Sequence, residues 1–194
     1  LAPPVQGGLV RGMPTAGSGW VARHNLTEAQ YRDTFNDLFI KQGFRIVDVC
    51  GYQSGGEARF GAIWEKPFGT VWGAQRSNHM TPLADYPAEW RKNTDDGFRP
   101  TRVAGYNVNG QTYFASIFEN ATGPDTFSTH AIKPEDLRST FDSQDKAGYR
   151  LVDVSAYVGV YQPGTLIPDK IYFACVWEKA DGRHWGVDPE QERG

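Results

Sequence analysis

The apolar positions of this chain fall into blocks that occur three times. One block reads Gly43-Phe44-Arg45-Ile46-Val47-Asp48-Val49-Cys50-Gly51-Tyr52. It returns as Gly97-Phe98-Arg99-Pro100-Thr101-Arg102-Val103-Ala104-Gly105-Tyr106 and as Gly148-Tyr149-Arg150-Leu151-Val152-Asp153-Val154-Ser155-Ala156-Tyr157. A second block follows each time, over 59–66, 113–120 and 172–179, with Phe60, Phe114 and Phe173 near its start and Trp64, Phe118 and Trp177 near its end. Such runs of aromatic and β-branched residues predict paired strands. Arg45 to Trp64 and Arg99 to Phe118 are both 19 residues apart, whereas Arg150 to Trp177 is 27. The third copy therefore carries an eight-residue insertion, placed in the turn 159–169 around Pro163-Gly164, where extra length is tolerated.

A helix signal precedes each strand pair. Thr27 with Gln30 fits a capping box, and the first helix runs from there to Lys41 with Gly43 as its stop. The second is expected to start at Thr81 with Pro82 in its first turn, and to be kinked or shortened by Pro87. The third starts near Lys133-Pro134. The pairs Tyr31 and Phe35, Tyr86 and Trp90, and Leu137 and Phe141 each make one apolar stripe facing a core. A further strand is expected before each helix, at Trp20-Val21-Ala22, Trp72-Gly73-Ala74 and Phe127-Ser128-Thr129, with a truncated fourth start at Trp185-Gly186-Val187. Ser54-Gly55-Gly56 and Asn109-Gly110 are hairpin turn chemistry. The expected fold is α+β: one domain, 1–194, of three strand-helix-strand-strand repeats (about 19–66, 72–120 and 126–179, with the fourth start over 184–194). Each antiparallel hairpin packs on a helix, and the copies are related by internal pseudo-symmetry. Such units must stack to bury their faces.

The pattern Trp-x-Ala-x-His, helix, Gly-Tyr/Phe-Arg, Val-x-Gly-Tyr, Trp-Glu-Lys resembles the bacterial tandem repeat domain family, whose repeats also build the N-terminal part of fungal polyglycine hydrolases. The likeness is strongest over Trp20–Lys66 and Gly148–Lys179 and covers roughly 19–185; the second copy departs most, with Phe118 for the Trp and Asn120 for the Lys. In those hydrolases the repeats accompany a separate β-lactamase-like serine hydrolase domain. The resemblance thus implies an accessory, substrate-recognising region. One Ser-x-x-Lys match, Ser143 to Lys146, falls in the third helix without a Lys-Thr-Gly partner and aligns with ordinary helix positions of the first copy.

Composition narrows the functional classes. A net charge of -3 gives no basic excess for nucleic acid or an anionic membrane, and no apolar run approaches a membrane span. The sequons at Asn25 and Asn120 point weakly to a secreted glycoprotein. The start of the chain has no basic segment and no apolar stretch, so it is not itself a signal peptide, though it suits the end left after one is removed. Cys50 and Cys175 allow one disulfide, the alternative being two buried thiols.

Several repeated residues could carry chemistry. His24, His79 and His130 lie just before the three helices, and imidazoles converging on an axis could hold a metal; the simpler role is packing at the helix start. Glu65, Glu119 and Glu178 could act as paired carboxylates, but pairing with Arg45, Arg99 and Arg150 on the adjacent strand is the simpler account. Asp48, Arg102 and Asp153 share a further position, where the sign change suits ion pairs between copies. Tyr52, Tyr106 and Tyr157, at the hairpin turns, could form platforms for a glycan or peptide, in three copies that would add avidity. No cofactor-binding or complete catalytic motif appears. The leading expectation is a secreted, non-catalytic, lectin-like module for a carbohydrate or Gly-rich peptide polymer. The alternatives are a secreted hydrolase with a His/Glu site between repeats, and an interaction domain of a longer chain.

Overall fold

The computed structural model describes residues 10–11, 19–66, 73–159 and 170–180. The fourth start over 184–194, the insertion over 160–169 and Trp72 lie outside the described residues. The elements in order are β1 (Val10–Arg11), β2 (Gly19–Leu26), α1 (Glu28–Phe35, continued as π-helix over Asn36–Lys41), β3 (Arg45–Ser54) and β4 (Glu57–Lys66). Then come β5 (Gln75–Pro82), α2 (Tyr86–Asp95), β6 (Arg99–Val108) and β7 (Gln111–Glu119), followed by β8 (Thr126–Ile132), α3 (Pro134–Lys146), β9 (Tyr149–Val158) and β10 (Ile171–Lys179). Strands dominate. Three antiparallel sheets form, in the orders β2-β4-β3, β5-β7-β6 and β8-β10-β9, with β1 added at the edge of the first. All three repeated segments therefore fold as hairpins. No helix among the described residues is long and apolar enough to cross a membrane.

Local chemistry explains these elements. Thr27 and Gln30 form both halves of the capping box of α1, which satisfies two backbone donors at the helix start. Gly43, Gly97 and Gly148 all have positive φ after their helices, the conformation in which glycine lacks a steric penalty. Asn109-Gly110 likewise has positive φ at both residues, which matches the twist of the β6–β7 hairpin. The second helix corrects its expected start. Thr81 and Pro82 remain in β5, pairing with Phe114 and Tyr113, and α2 begins at Tyr86 with Pro87 in its first turn. There the missing N–H costs nothing, because the first-turn donors have no intrahelical partner. The register also corrects the second copy's first strand. Trp20, Gln75 and Thr126 face Glu65, Glu119 and Glu178 respectively. Gln75-Arg76-Ser77, rather than Trp72-Gly73-Ala74, stands where the first copy has Trp20-Val21-Ala22.

The first strand of every sheet loses its register as it reaches the histidine: between Arg23 and Leu26, between Asn78 and Thr81, and opposite Phe173 and Cys175. These irregularities carry Asn25 and Ala131 into positive φ. A bulge bends a strand and re-aims its side chains, and here it lets the imidazole leave its own sheet.

The core runs through the joints between repeats rather than staying within each one. One buried cluster joins Tyr31, Ile46, Phe60 and Trp64 of the first repeat to Tyr106 and Ile117 of the second. Another joins Tyr86, Val103 and Phe114 of the second to Tyr157, Tyr172 and Val176 of the third. A sheet with one helix has too little apolar area to stand alone, and burial across joints supplies the rest.

Candidate functional site

Strand β6 is covered on both faces. Its Tyr106 reaches back onto Gly51 of β3, and its Gly105 receives the ring of Tyr157 from β9. A Cβ placed on Gly51 or Gly105 would stand 2.4 Å from a ring carbon of the incoming tyrosine. Glycine is required here for close approach, not for backbone shape. Tyr106 and Tyr157 are each 5% exposed, whereas Tyr52 of the first repeat is 37% exposed. Two of the phenols also tie down a histidine bulge: Tyr106 donates to the carbonyl of His79, and Tyr52 accepts from the Asn25 amide at 3.0 Å. Burial pushes the Tyr106 and Tyr157 phenols far above their usual value. Two of the three expected platforms thus lie inside the molecule.

The histidines follow the same logic. His79 lies on Tyr31 and Phe60 of the preceding repeat, with ring centroids 4.6 and 5.0 Å away. His130 lies on Tyr86 and Phe114, at 5.3 and 5.8 Å. His24 is exposed. The imidazoles therefore serve separate joints and do not converge. Among the described residues, no group of three His, Cys, Asp or Glu side chains could hold a metal ion. Burial lowers the pKa of both His79 and His130, with Glu28 opposing it at His79, so both imidazoles are neutral at pH 7.

The charged positions divide between sheets and joints. Arg150 and Glu178 pair within the third sheet at 2.6 Å, as cross-strand neighbours. Arg45, 3% exposed, instead reaches the next repeat, where it bonds the Gly73 carbonyl and sits 3.0 Å from Glu119. Arg99 lies against Gly123 and donates to the Pro124 carbonyl. Arg102 and Asp153 do pair between copies, at 3.9 Å, and Asp153 also accepts from the Val103 amide. Gln75 is a joint residue that sequence reading misses. Its side-chain amide bonds both the N–H and the C=O of Ile46, at 3.0 and 2.9 Å, replacing a missing strand partner. At the second joint the matching residue of β6 is Pro100, which has no N–H to satisfy.

Cys50 and Cys175 are both free, Cys50 exposed and Cys175 buried. This corrects the disulfide expectation: the two side on different strands of different repeats, Cys50 on the uncovered face of β3. Burial raises both thiol pKa values, that of Cys175 to about 11, which disfavours the thiolate a nucleophile needs. Asn120 is exposed and Asn25 partly so.

The second joint leaves one aromatic cleft, of about 260 Å³, between α2 and β8. Tyr86, Trp90, Phe127 and His130 form its walls, with Pro87 and Arg91 beside them. Tyr86 is buried and fixed by a 3.2 Å bond to Ser128, and its phenol is pushed up to about 12. Phe127 is held by Tyr149 and Trp177 behind it, at 5.0 and 6.4 Å. At the first joint, Phe35 stands in place of Trp90 and Arg76 in place of Phe127. Arg76 there stacks on Phe98 at 4.0 Å and pairs with Asp96. A separate groove at that joint, about 540 Å³, lies by the start of α1 and the hairpin turns and is lined with Glu28, Arg32, Glu57 and Arg59, which pair among themselves.

Three like-ordered sheets joined by interlocking side chains define a tandem-repeat α+β protein. The family model described as "Polyglycine hydrolase-like, structural repeat" matches residues 17–67, 72–121 and 123–180, and the chain belongs to that family. No curated protein matches it.

Proposed function

We propose that the chain is a non-catalytic recognition module of a secreted protein, holding a glycan or Gly-rich peptide polymer in the aromatic cleft at its second joint. The observation that carries this reading is the pair Trp90 and Phe127. Phe127 takes the place that the charged Arg76 has at the first joint, and Trp90 enlarges a position that is Phe35 and Phe141 in the other copies; together they wall an aromatic cleft. Aromatic faces with a polar edge suit a sugar ring or a side-chain-free peptide backbone, and Arg91 at the rim supplies donors. The recurrence of the same Tyr-on-Gly and His-on-aromatic contacts at both joints supports internal pseudo-symmetry, with the cleft as the place where it is broken. Secretion fits the sequons and the accessory role of the repeats in polyglycine hydrolases. The hydrolase reading is weaker, because His79, His130, Glu119 and Glu178 are all engaged in packing or ion pairs.

Tryptophan-fluorescence titration with chitohexaose and with hexaglycine tests the proposal. Saturable binding of one of them, lost in Trp90→Ala and retained in Tyr52→Ala, is expected. Binding that survives Trp90→Ala would place the ligand elsewhere.

A further inference from the structure

The two joints are directional, and among the described residues the same two half-joints recur uncovered on the first and third repeats. In each joint the later repeat supplies a tyrosine, a histidine and a serine: Tyr106, His79 and Ser77, then Tyr157, His130 and Ser128. The earlier repeat supplies a glycine beneath the tyrosine ring, aromatic rings for the histidine, and a helix tyrosine whose hydroxyl meets the serine (Tyr31 to Ser77, Tyr86 to Ser128). On the first repeat the plug face is open, with Tyr52 and His24 exposed. On the third the socket face is open. Val154 is 50% exposed, whereas its counterparts Val49 and Val103 are 3% and 1% exposed under the next repeat. Val158 and Ile171 extend this apolar patch.

A chain with a free plug and a free apolar socket has what a heterologous, non-closing contact needs, and such contacts grow into filaments. The socket differs from the inner two in one decisive way: Ala156 stands where Gly51 and Gly105 accept a ring. A methyl at either inner position would lie 2.4 Å from ring carbons, well inside contact distance. The two polar contacts are absent as well, since Leu137 occupies the helix-tyrosine position and Ala22 the serine position.

We propose that Ala156 is a stop residue: its β-carbon bars the Tyr52 face of a second copy from the third repeat. The partner excluded is another copy of this chain, docked in the orientation its own repeats already use.

Sedimentation velocity over a concentration series tests this in a background that restores the two polar contacts, Ala22→Ser with Leu137→Tyr. That background is expected to stay monomeric. Adding Ala156→Gly should produce head-to-tail association at concentrations at least about tenfold lower, and a further Tyr52→Ala should abolish it. Ala156→Ser, which keeps a β-carbon, should not associate. Position 156 is exposed, and matching near-ultraviolet circular dichroism across the set shows that each variant is folded. The proposal is overturned if Ala156→Gly leaves the sedimentation unchanged, if association persists without Tyr52, or if the unsubstituted chain itself associates through Tyr52.

Discussion

At the residue scale, the repeated positions are defined by what the neighbouring repeat does to them. Gly51 and Gly105 are alike in sequence to many turn glycines, yet both lie within strands and lack positive φ; each is needed because a tyrosine ring rests on it. Gly51→Ala or Gly105→Ala should lower unfolding free energy by about 1–3 kcal/mol, as overpacking does. Urea denaturation reads this directly, and an unchanged midpoint would mean that the rings have room to move. The Gly-to-Tyr spacing was legible in the sequence. That the Tyr of one copy answers the Gly of another was not, because a spacing within one copy says nothing about which partner covers it.

At the element scale, caps and turns behave as their local sequences demand. Thr27→Ala removes the side-chain half of the α1 capping box that reaches Gln30, and should cost about 1 kcal/mol, seen as a lower melting temperature with the fold unchanged. Gln75 acts on an element from outside. Its amide completes β3 at Ile46, so Gln75→Leu strands a buried N–H and C=O. The expected loss is about 1–3 kcal/mol in the same urea assay, and hydrogen exchange at the Ile46 amide should accelerate. A variant with unaltered exchange would show that another group can replace the amide. The late start of α2 belongs to this scale too. A Pro at 82 and another at 87 each fit a helix start, and the continuation of the β5–β7 ladder through Pro82 selects the later one.

At the scale of the whole molecule, the half-buried histidines make the joints sensitive to acid. His79 and His130 have pKa values lowered from the usual 6.5 by burial. Their folded form prefers the neutral ring, so the unfolded chain takes up protons first as pH falls. The histidine contribution to stability is whole above about pH 6.5 and declines from there down to the depressed folded pKa values. Melting temperature should fall across that window, and the decline should shrink in His79→Gln/His130→Gln. A decline of the same size in the double variant would assign it to other groups. Because each histidine wedges two repeats together, the transition should remain cooperative across the array rather than release one repeat alone.

The three units, their helix-then-hairpin order, the capping box, the glycine stops and the family resemblance could all be read along the chain, since they rest on local pattern and on self-similarity. Folding was needed to make Tyr106, Tyr157, His79 and His130 joint residues, to send Arg45 across a joint while Arg150 stays in its own sheet, to leave the cysteines unpaired, and to bring Trp90 and Phe127 into one cleft. Each of those depends on which faces meet. Phe127 left one trace in the sequence, as an aromatic residue where the other copies have Val21 and Arg76, but a departure from a repeat gains meaning only when folding places it beside a residue such as Trp90.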